Sequence, residues 1–397
     1  MIIDKIKENI YYCGSKDAER KLFDELVPLP EGTTYNSYLV IGSEKTALID
    51  TVYPPRIPEL VEKLESNNIT KIDYIIANHG EQDHSGALPT LLEKYPDAIV
   101  ITNQKCKDII IDMLEIPADK FQVISDGDEL SLGDKTFKFI FAPWVHWPDT
   151  MFTYLKEENM LFTCDYLGAH YTSCCDIFSD DSPELEIAAK RYYAEIMMPF
   201  RSFAAKYLKL IKDMDVDMVL PSHGPIYNNP KFILDLYEKW TSPEVDNVVL
   251  IPYVSMYEST KKMVDYLAEA LNKKGIETIL FDTVWNDHGE LAMDAVNVAT
   301  VVLAASMVLA GPHPTMVTTA YLLGALKPKF KNLSIIGSYG WGGNLTGKLE
   351  DMFVVTKPNK LDYVMAKGCP KQDTFEKLDA LAESIYQTHK EMGLIKD

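Results

Sequence analysis

Apolar positions fall into two rhythms along the chain. Between residues 34 and 142, short runs rich in β-branched and aromatic residues recur at 35–41, 46–52, 74–77, 99–102 and 136–141. Runs of that length and composition, separated by turns, predict strands. Helical patterns lie between some of them, at 54–64 and 85–94. A long helical stretch follows over 183–214, interrupted near Pro199, then a short strand at 218–221 and a helix at 230–240. The mixture predicts a sheet-rich core flanked by helices.

Residues 241–246, Thr-Ser-Pro-Glu-Val-Asp, break the pattern and predict a linker. Beyond it, strands at 248–254, 277–282, 300–305 and 333–337 alternate with helices, one ending at Gly275 and the last covering 374–392. Strands alternating with helices imply a parallel sheet covered on both faces. Five strands within about 150 residues fit a flavodoxin-like doubly wound sheet of order 2-1-3-4-5, whose ligands sit beyond the strand carboxyl ends. The expected domains are therefore 1–245 and 246–397.

Bulk properties narrow this picture only slightly. A chain of 397 residues is long for one core and suits two. With 47% hydrophobic and 25% charged residues, it has the composition of a soluble globular protein. No run approaches the roughly 18 apolar residues of a membrane span. The first residues carry charges where a signal peptide is apolar, so a cytoplasmic location and no membrane partner are expected. The net charge of −20 argues against nucleic acid. Six cysteines without CxxC spacing suggest reduced thiols, and the adjacent Cys174 and Cys175 suggest small buried residues.

Candidate chemistry begins at Asn78-His79-Gly80-Glu81-Gln82-Asp83-His84, directly after an apolar strand. Four metal-capable side chains within six residues can aim at one point beyond a strand end. His146, Asp165 and His223 each follow another predicted strand in the same setting. Any one of these three could equally cap or shape a turn; together with the loop of residues 78–84 they offer three carboxylates and four histidines.

This set resembles the metallo-β-lactamase-like αββα sandwich, with one departure. Glu81 stands where the hydrolases of that fold carry a second histidine. An added carboxylate makes the site harder and better suited to iron than to a zinc hydrolase. His-x-Glu-x-Asp-His followed by His146, Asp165 and His223 resembles the flavodiiron proteins along essentially the whole chain. The resemblance implies one iron on His79, Glu81 and His146, and a second on Asp83, His84 and His223. Asp165 would bridge them, and the histidine corresponding to His84 does not always coordinate in that family. His170, Tyr171 and Tyr193 would be outer groups that donate hydrogen bonds or protons.

The second half carries three loops suited to FMN. Ser255, Met256, Tyr257, Ser259 and Thr260 open a helix, where hydroxyls and backbone N–H groups suit a dianionic phosphate. Ser338, Tyr339, Gly340, Trp341 and Gly342 offer close backbone approach and aromatic faces. The middle loop departs from the Gly-Ser-Pro-Thr common in the family: Ala304-Ala305-Ser306-Met307-Val308 stands here, leaving Ser306 and Met307 as candidates, with 311–314 shaping the exit and His313 a further one.

The resemblance implies an oxidoreductase that passes electrons through FMN to a non-haem di-iron site and reduces O2 to water, NO to N2O, or both. An external donor is implied, rubredoxin or a reduced deazaflavin coenzyme, as is a head-to-tail homodimer or a dimer of dimers. The rival is a zinc-dependent hydrolase of the same fold fused to a flavodoxin-like domain.

Overall fold

The computed structural model describes residues 2–172, 176–285 and 287–395, so Cys174 and Cys175 lie outside it. It divides into two compact units, Met1–Thr241 and Ser242–Asp397.

In the first unit, a seven-stranded sheet runs in the order Asp4–Lys7, Ile10–Tyr12, Tyr38–Ile41, Thr46–Ile49, Tyr74–Ile76, Ile99–Thr102, Phe121–Val123. A five-stranded sheet follows the order Glu129–Ser131, Thr136–Phe141, Met151–Leu155, Met160–Cys164, Met218–Pro221. Alternation along the strands sends side chains to opposite faces. Leu39, Leu48, Ile75 and Val100 meet Leu60, Leu88, Leu91 and Ile110 of the covering helices. Tyr38, Val40, Ile49, Ile76 and Ile101 face Phe137, Phe139, Phe162 and Leu220 of the other sheet. One face thus packs on helices and the other on a sheet, the expected αββα layering.

Register then decides where the chain's chemistry emerges. Strands Thr46–Ile49, Tyr74–Ile76 and Ile99–Thr102 are parallel, with Ile49 opposite Ile76. Met160–Cys164 is parallel to Met218–Pro221, with Cys164 opposite Pro221. Segments that leave the carboxyl ends of these strands therefore emerge together.

The second unit has the expected sheet order. Strands Glu277–Asp282, Asp246–Val254, Val298–Val308, Asn332–Tyr339 and Val364–Lys367 are neighbours in that sequence and all parallel. Apolar clusters lie on both faces, one around Leu250, Val301 and Ile335, the other around Val249, Val302 and Ile336. The fifth strand is too short for the apolar pattern to isolate. The third strand corrects the expected middle loop: it runs on to Val308, turns through Leu309 and Ala310, and returns at Gly311–Pro312. Both turn residues have positive φ, 49° and 56°, as a tight two-residue hairpin connection requires.

Among the described residues, Cys13, Cys106, Cys164 and Cys369 are free thiols. No helix among them is long and apolar enough to cross a membrane.

One buried histidine ties the last helix, Gln372–Glu391, to this sheet. His389 Nε2 lies 2.8 Å from Thr300 Oγ1, and Nδ1 lies 2.8 Å from Asn247 Oδ1. Burial pushes His389 down to about 4 from 6.5. A lowered histidine contributes stability that is complete above the unfolded value and is lost as pH falls through the folded one. The unfolding midpoint of the wild type should therefore drop further between pH 7 and pH 4.5 than that of His389→Gln. Parallel decline of the two proteins in thermal melts would contradict the assignment.

Candidate functional site

At the carboxyl edge of the first unit's sheets, a buried aspartate anchors the first metal-capable loop. Asp50 accepts hydrogen bonds from the Asn78 backbone N–H at 2.8 Å, the Asn78 amide at 3.0 Å and the Ser222 hydroxyl at 3.1 Å. It therefore ties the loop of residues 78–84 to the segment that carries His223. Glu81 then precedes a single helical turn, Gln82–Ser85, which places Asp83 and His84 beside it.

The seven candidate ligands converge as two groups that share one carboxylate. His79 Nε2 and His146 Nε2 lie 3.2 and 3.4 Å from Glu81 Oε2, and 3.8 and 3.5 Å from Asp165 Oδ2. On the other side, His84 Nε2 and His223 Nε2 lie 3.2 and 3.1 Å from the two oxygens of Asp83, and 3.0 and 3.3 Å from Asp165 Oδ1. Donors around one ion at about 2.1 Å are roughly 3.0–3.4 Å apart, so both groups have nearly the spacing of a coordination shell.

Satisfaction of polar groups argues the same way. Both Asp83 oxygens, His84 Nε2 and His223 Nε2 are buried without a hydrogen-bond partner, despite their closeness to one another. Buried polar atoms left unpaired are costly, and a cation is what this geometry satisfies. Burial alone would hold the imidazoles neutral. The negative charges of Asp165 and Asp83 beside it instead push His223 up to about 10, and those of Asp165 and Glu81 push His146 up to about 9. Burial likewise opposes charge on Asp165 and Glu81, yet the histidines hold both below the usual carboxylate range. The cluster attracts positive charge, and its donor set of carboxylates and imidazoles suits two iron ions.

Outer contacts orient the imidazoles. His79 Nδ1 faces Asp149 Oδ2 at 3.0 Å, and the same oxygen accepts the Gly80 N–H at 2.8 Å. His223 Nδ1 donates to the Thr34 carbonyl at 2.6 Å. Each contact leaves Nε2 to point inward. Gly224 follows in the left-handed region, φ +82°, and a Cβ there would sit 2.6 Å from the Ala169 carbonyl oxygen. No feature of the local pattern marks Asp149, Asp50 or Thr34 as partners of the site. Asp149→Asn keeps an acceptor but loses the charge, and is expected to weaken iron binding about tenfold, read by chelator competition. Unchanged affinity would remove Asp149 from the site.

Two of the aromatic expectations need correction. Tyr193 does not face the cluster: its hydroxyl donates to the Trp240 carbonyl at 3.1 Å. Its neighbour Tyr192 reaches Asp165 Oδ1 at 3.2 Å. Tyr192 ends helix Pro183–Tyr192 and Tyr193 follows it, so the two adjacent side chains point roughly 100° apart around the helix. Tyr171 sits instead beside Tyr12, Lys16 and Pro225 at a small surface depression. His170 does adjoin the cluster, with its ring 5.3 Å from that of His223 and Nδ1 2.9 Å from Thr33 Oγ1. Burial, then the neighbouring His223, keep it well below the ordinary histidine value.

In the second unit, three segments converge at the carboxyl edge of the sheet. Thr260 is buried in the first turn of helix Ser259–Lys273, with its hydroxyl 3.1 Å from Ser306 Oγ and 2.8 Å from Ser338 Oγ. The Met256 N–H donates to Ser306 Oγ at 3.3 Å, and Lys261 N–H to Ser255 Oγ at 3.2 Å. Ser306 and Met307 thus lie on the extended strand rather than in a loop. A cavity of about 310 Å3 opens among Met307, Tyr339, Gly342, Gly343, Asn344 and Met365. A Cβ on Gly343 would stand 2.6 Å from Met307 Sδ and 2.7 Å from the Ala310 carbonyl, which explains the glycine beside the hairpin. Hydroxyls at a helix N-terminus beside a cavity with an aromatic wall fit a phosphorylated flavin. Tyr257 and Trp341, from the first and third of these segments, are exposed. His313 takes a structural place, capping helix Pro314–Leu326 by accepting the Thr315 N–H at 3.3 Å.

The chain is similar to known proteins over nearly its whole length. Residues 33–224 match the model of the ODP family beta lactamase. The chain is 33% identical to a nitric oxide reductase of Moorella thermoacetica, over 91% of this chain and 92% of that protein. It is 32% identical to a coenzyme F420H2 oxidase of Methanothermobacter marburgensis, over 88% and 89%. A solved structure of rubredoxin oxygen:oxidoreductase from Desulfovibrio gigas superposes with a TM-score of 0.93 at 29% identity, covering 98% of this chain and 99% of that one. With whole-length relatives above 30% identity, a matching fold and residues that fit both cofactors, this chain belongs to the flavodiiron protein family.

Proposed function

We propose that this protein is a flavodiiron reductase that reduces O2 to water, NO to N2O, or both, with electrons arriving through FMN from a separate donor. The observation that carries this reading is Asp165, whose two oxygens face two separate histidine and carboxylate groups. His79, Glu81 and His146 would hold one iron, Asp83, His84 and His223 the other, with Asp165 bridging. Bound there, two irons and FMN would supply the electrons, four for each O2 taken to two waters or two for each pair of NO taken to N2O and water. Ser255, Met256, Tyr257, Ser259, Thr260, Ser306, Met307 and residues 338–342 would hold the flavin.

The chain's own groups have distinct tasks in this scheme. Asp149 and the Thr34 carbonyl hold His79 and His223 in the tautomer that leaves Nε2 free. Tyr192 donates to Asp165 Oδ1 and so fixes the carboxylate that spans both groups. His170, kept neutral beside Thr33, offers a ring nitrogen that holds or passes a proton without adding charge.

The relatives named above are named for different donors, coenzyme F420H2 in one and rubredoxin in another, and both rubredoxin and a reduced deazaflavin coenzyme suit this chain as sources of electrons. A head-to-tail dimer, with one chain's flavin serving its partner's irons, is supported by the exposure of Met256, Tyr257, Trp285, Leu309 and Trp341, apolar side chains in the segments that follow the sheet's strands.

Metal and flavin analysis followed by anaerobic stopped-flow tests the whole reading. About two irons and one FMN per chain are expected, with reduced protein reoxidised by O2 or NO within the mixing experiment. Two zincs and no flavin would overturn it.

A further inference from the structure

One cation beside the candidate metal centre has no task in this scheme. Arg20 precedes the hairpin made by Leu22–Phe23 and Val27–Pro28. Its Nε donates to the Leu22 carbonyl and its Nη1 to the Tyr35 hydroxyl, each at 2.8 Å. The guanidinium carbon lies 4.3 Å from the Tyr53 ring centroid and 5.5 Å from that of Phe23. Tyr35 and Tyr53 stack on each other at 5.3 Å.

The same rings form the wall of the metal pocket. Phe23 lies 4.7 Å from the His170 ring and 5.7 Å from that of His223, and Tyr35 lies 5.8 Å from His223. The guanidinium therefore stands one layer of rings behind a candidate ligand. Among the described residues, no carboxylate pairs with Arg20, whereas Arg56 pairs with Asp17 and Glu59. A half-buried cation without an ion-pair partner is costly, and cation–π contacts offset only part of that cost.

Net negative charge lies within reach of it. Asp24, in the turn of the same hairpin and partly exposed, has its carboxyl pushed up by partial desolvation and then by Glu81 and Asp83, with His146 and then Arg20 opposing them. Arg20 also acts on His170, adding to the burial that keeps that ring neutral. The guanidinium thus stands behind the rings that contact His170 and His223, where a fixed charge is less screened than in water.

We propose that Arg20 is an electrostatic positioning residue that offsets Glu81, Asp83 and Asp165 from outside the ligand set and raises the reduction potential of the iron site. Tyr35, Tyr53 and Phe23 hold it in place. The proposal rests on the di-iron reading above. A cation favours the reduced, less positive metal pair, so its removal shifts the potential downward.

The test is a redox titration of the iron- and FMN-loaded protein, following mixed-valent iron by EPR and flavin by absorbance in the same samples. Arg20→Gln should lower the iron midpoint by about tenfold in equilibrium constant, roughly 59 mV for a one-electron couple. Arg20→Lys, which keeps the charge, should stay near the wild type, and the flavin midpoint should not move in either. An unshifted Arg20→Gln overturns the proposal, and so does an Arg20→Lys that falls as far. Should Arg20→Gln fail to retain iron, Tyr35→Phe decides: a smaller downward shift supports the assignment and none overturns it. Wild-type protein without an iron signal would instead defeat the functional reading.

Discussion

Asp165→Ala is expected to lose both irons while keeping its fold and its flavin. Its two oxygens are the contacts shared by the His79, His146 side and the His84, His223 side. Removing them leaves each group short of a donor and leaves the remaining carboxylates without the spacing that one shared ligand imposes. Loss of an outer hydrogen-bond partner costs about 10–100-fold in metal affinity, so loss of a bridging ligand should cost more than 100-fold. Fewer than half the wild-type irons per chain, one FMN per chain and O2 or NO consumption down by more than 100-fold are the expected readings. Wild-type iron content in this variant would place the metal elsewhere.

Thr260→Val is expected to empty the flavin site without touching the irons. The threonine hydroxyl is the point where the three segments meet, and valine matches its shape. Without it, the Ser306 and Ser338 hydroxyls lose their shared partner at the edge where a dianionic phosphate would sit. Hydrogen bonds to charged groups contribute about 1.5–3 kcal/mol, so FMN affinity should fall by about 10–100-fold. Fluorescence titration of flavin-stripped protein reads the change. Donor-driven activity should fall with it and return with excess FMN, whereas chemically reduced iron should still react with the gas.

Together the two variants separate the tasks of the two units. The first loses gas chemistry and keeps flavin, and the second loses electron supply and keeps iron. A variant that loses both cofactors would point instead to a general defect in folding.

Much of this architecture is legible in the pattern of residues. Alternating runs such as 74–77 and 99–102 become strands because successive side chains serve two apolar layers, Ile75 on the helix side and Ile76 against the other sheet. The order 2-1-3-4-5 is one that strand–helix alternation with right-handed crossovers fits, and the sheet has it. Cofactor class was also legible, since His79, Glu81, Asp83 and His84 crowd into one loop whose only economical use is a cation. Helix starts and strand ends carry that information locally, and local chemistry is written in neighbouring residues.

What only the tertiary structure decided is who stands behind whom. Asp50 reaches Asn78 and Ser222, Asp149 reaches His79, and Arg20 reaches Tyr35, across separations that no local periodicity encodes. Tyr192 rather than Tyr193 reaches the centre, and a hairpin carried Ser306 and Met307 onto a strand. Sequence by itself determined which side chains this protein has for holding metal and flavin, because ligand type and strand-end position are local properties. The fold decided their partners, their tautomers and the field around them, because those depend on distances between segments that meet only after the sheets have formed.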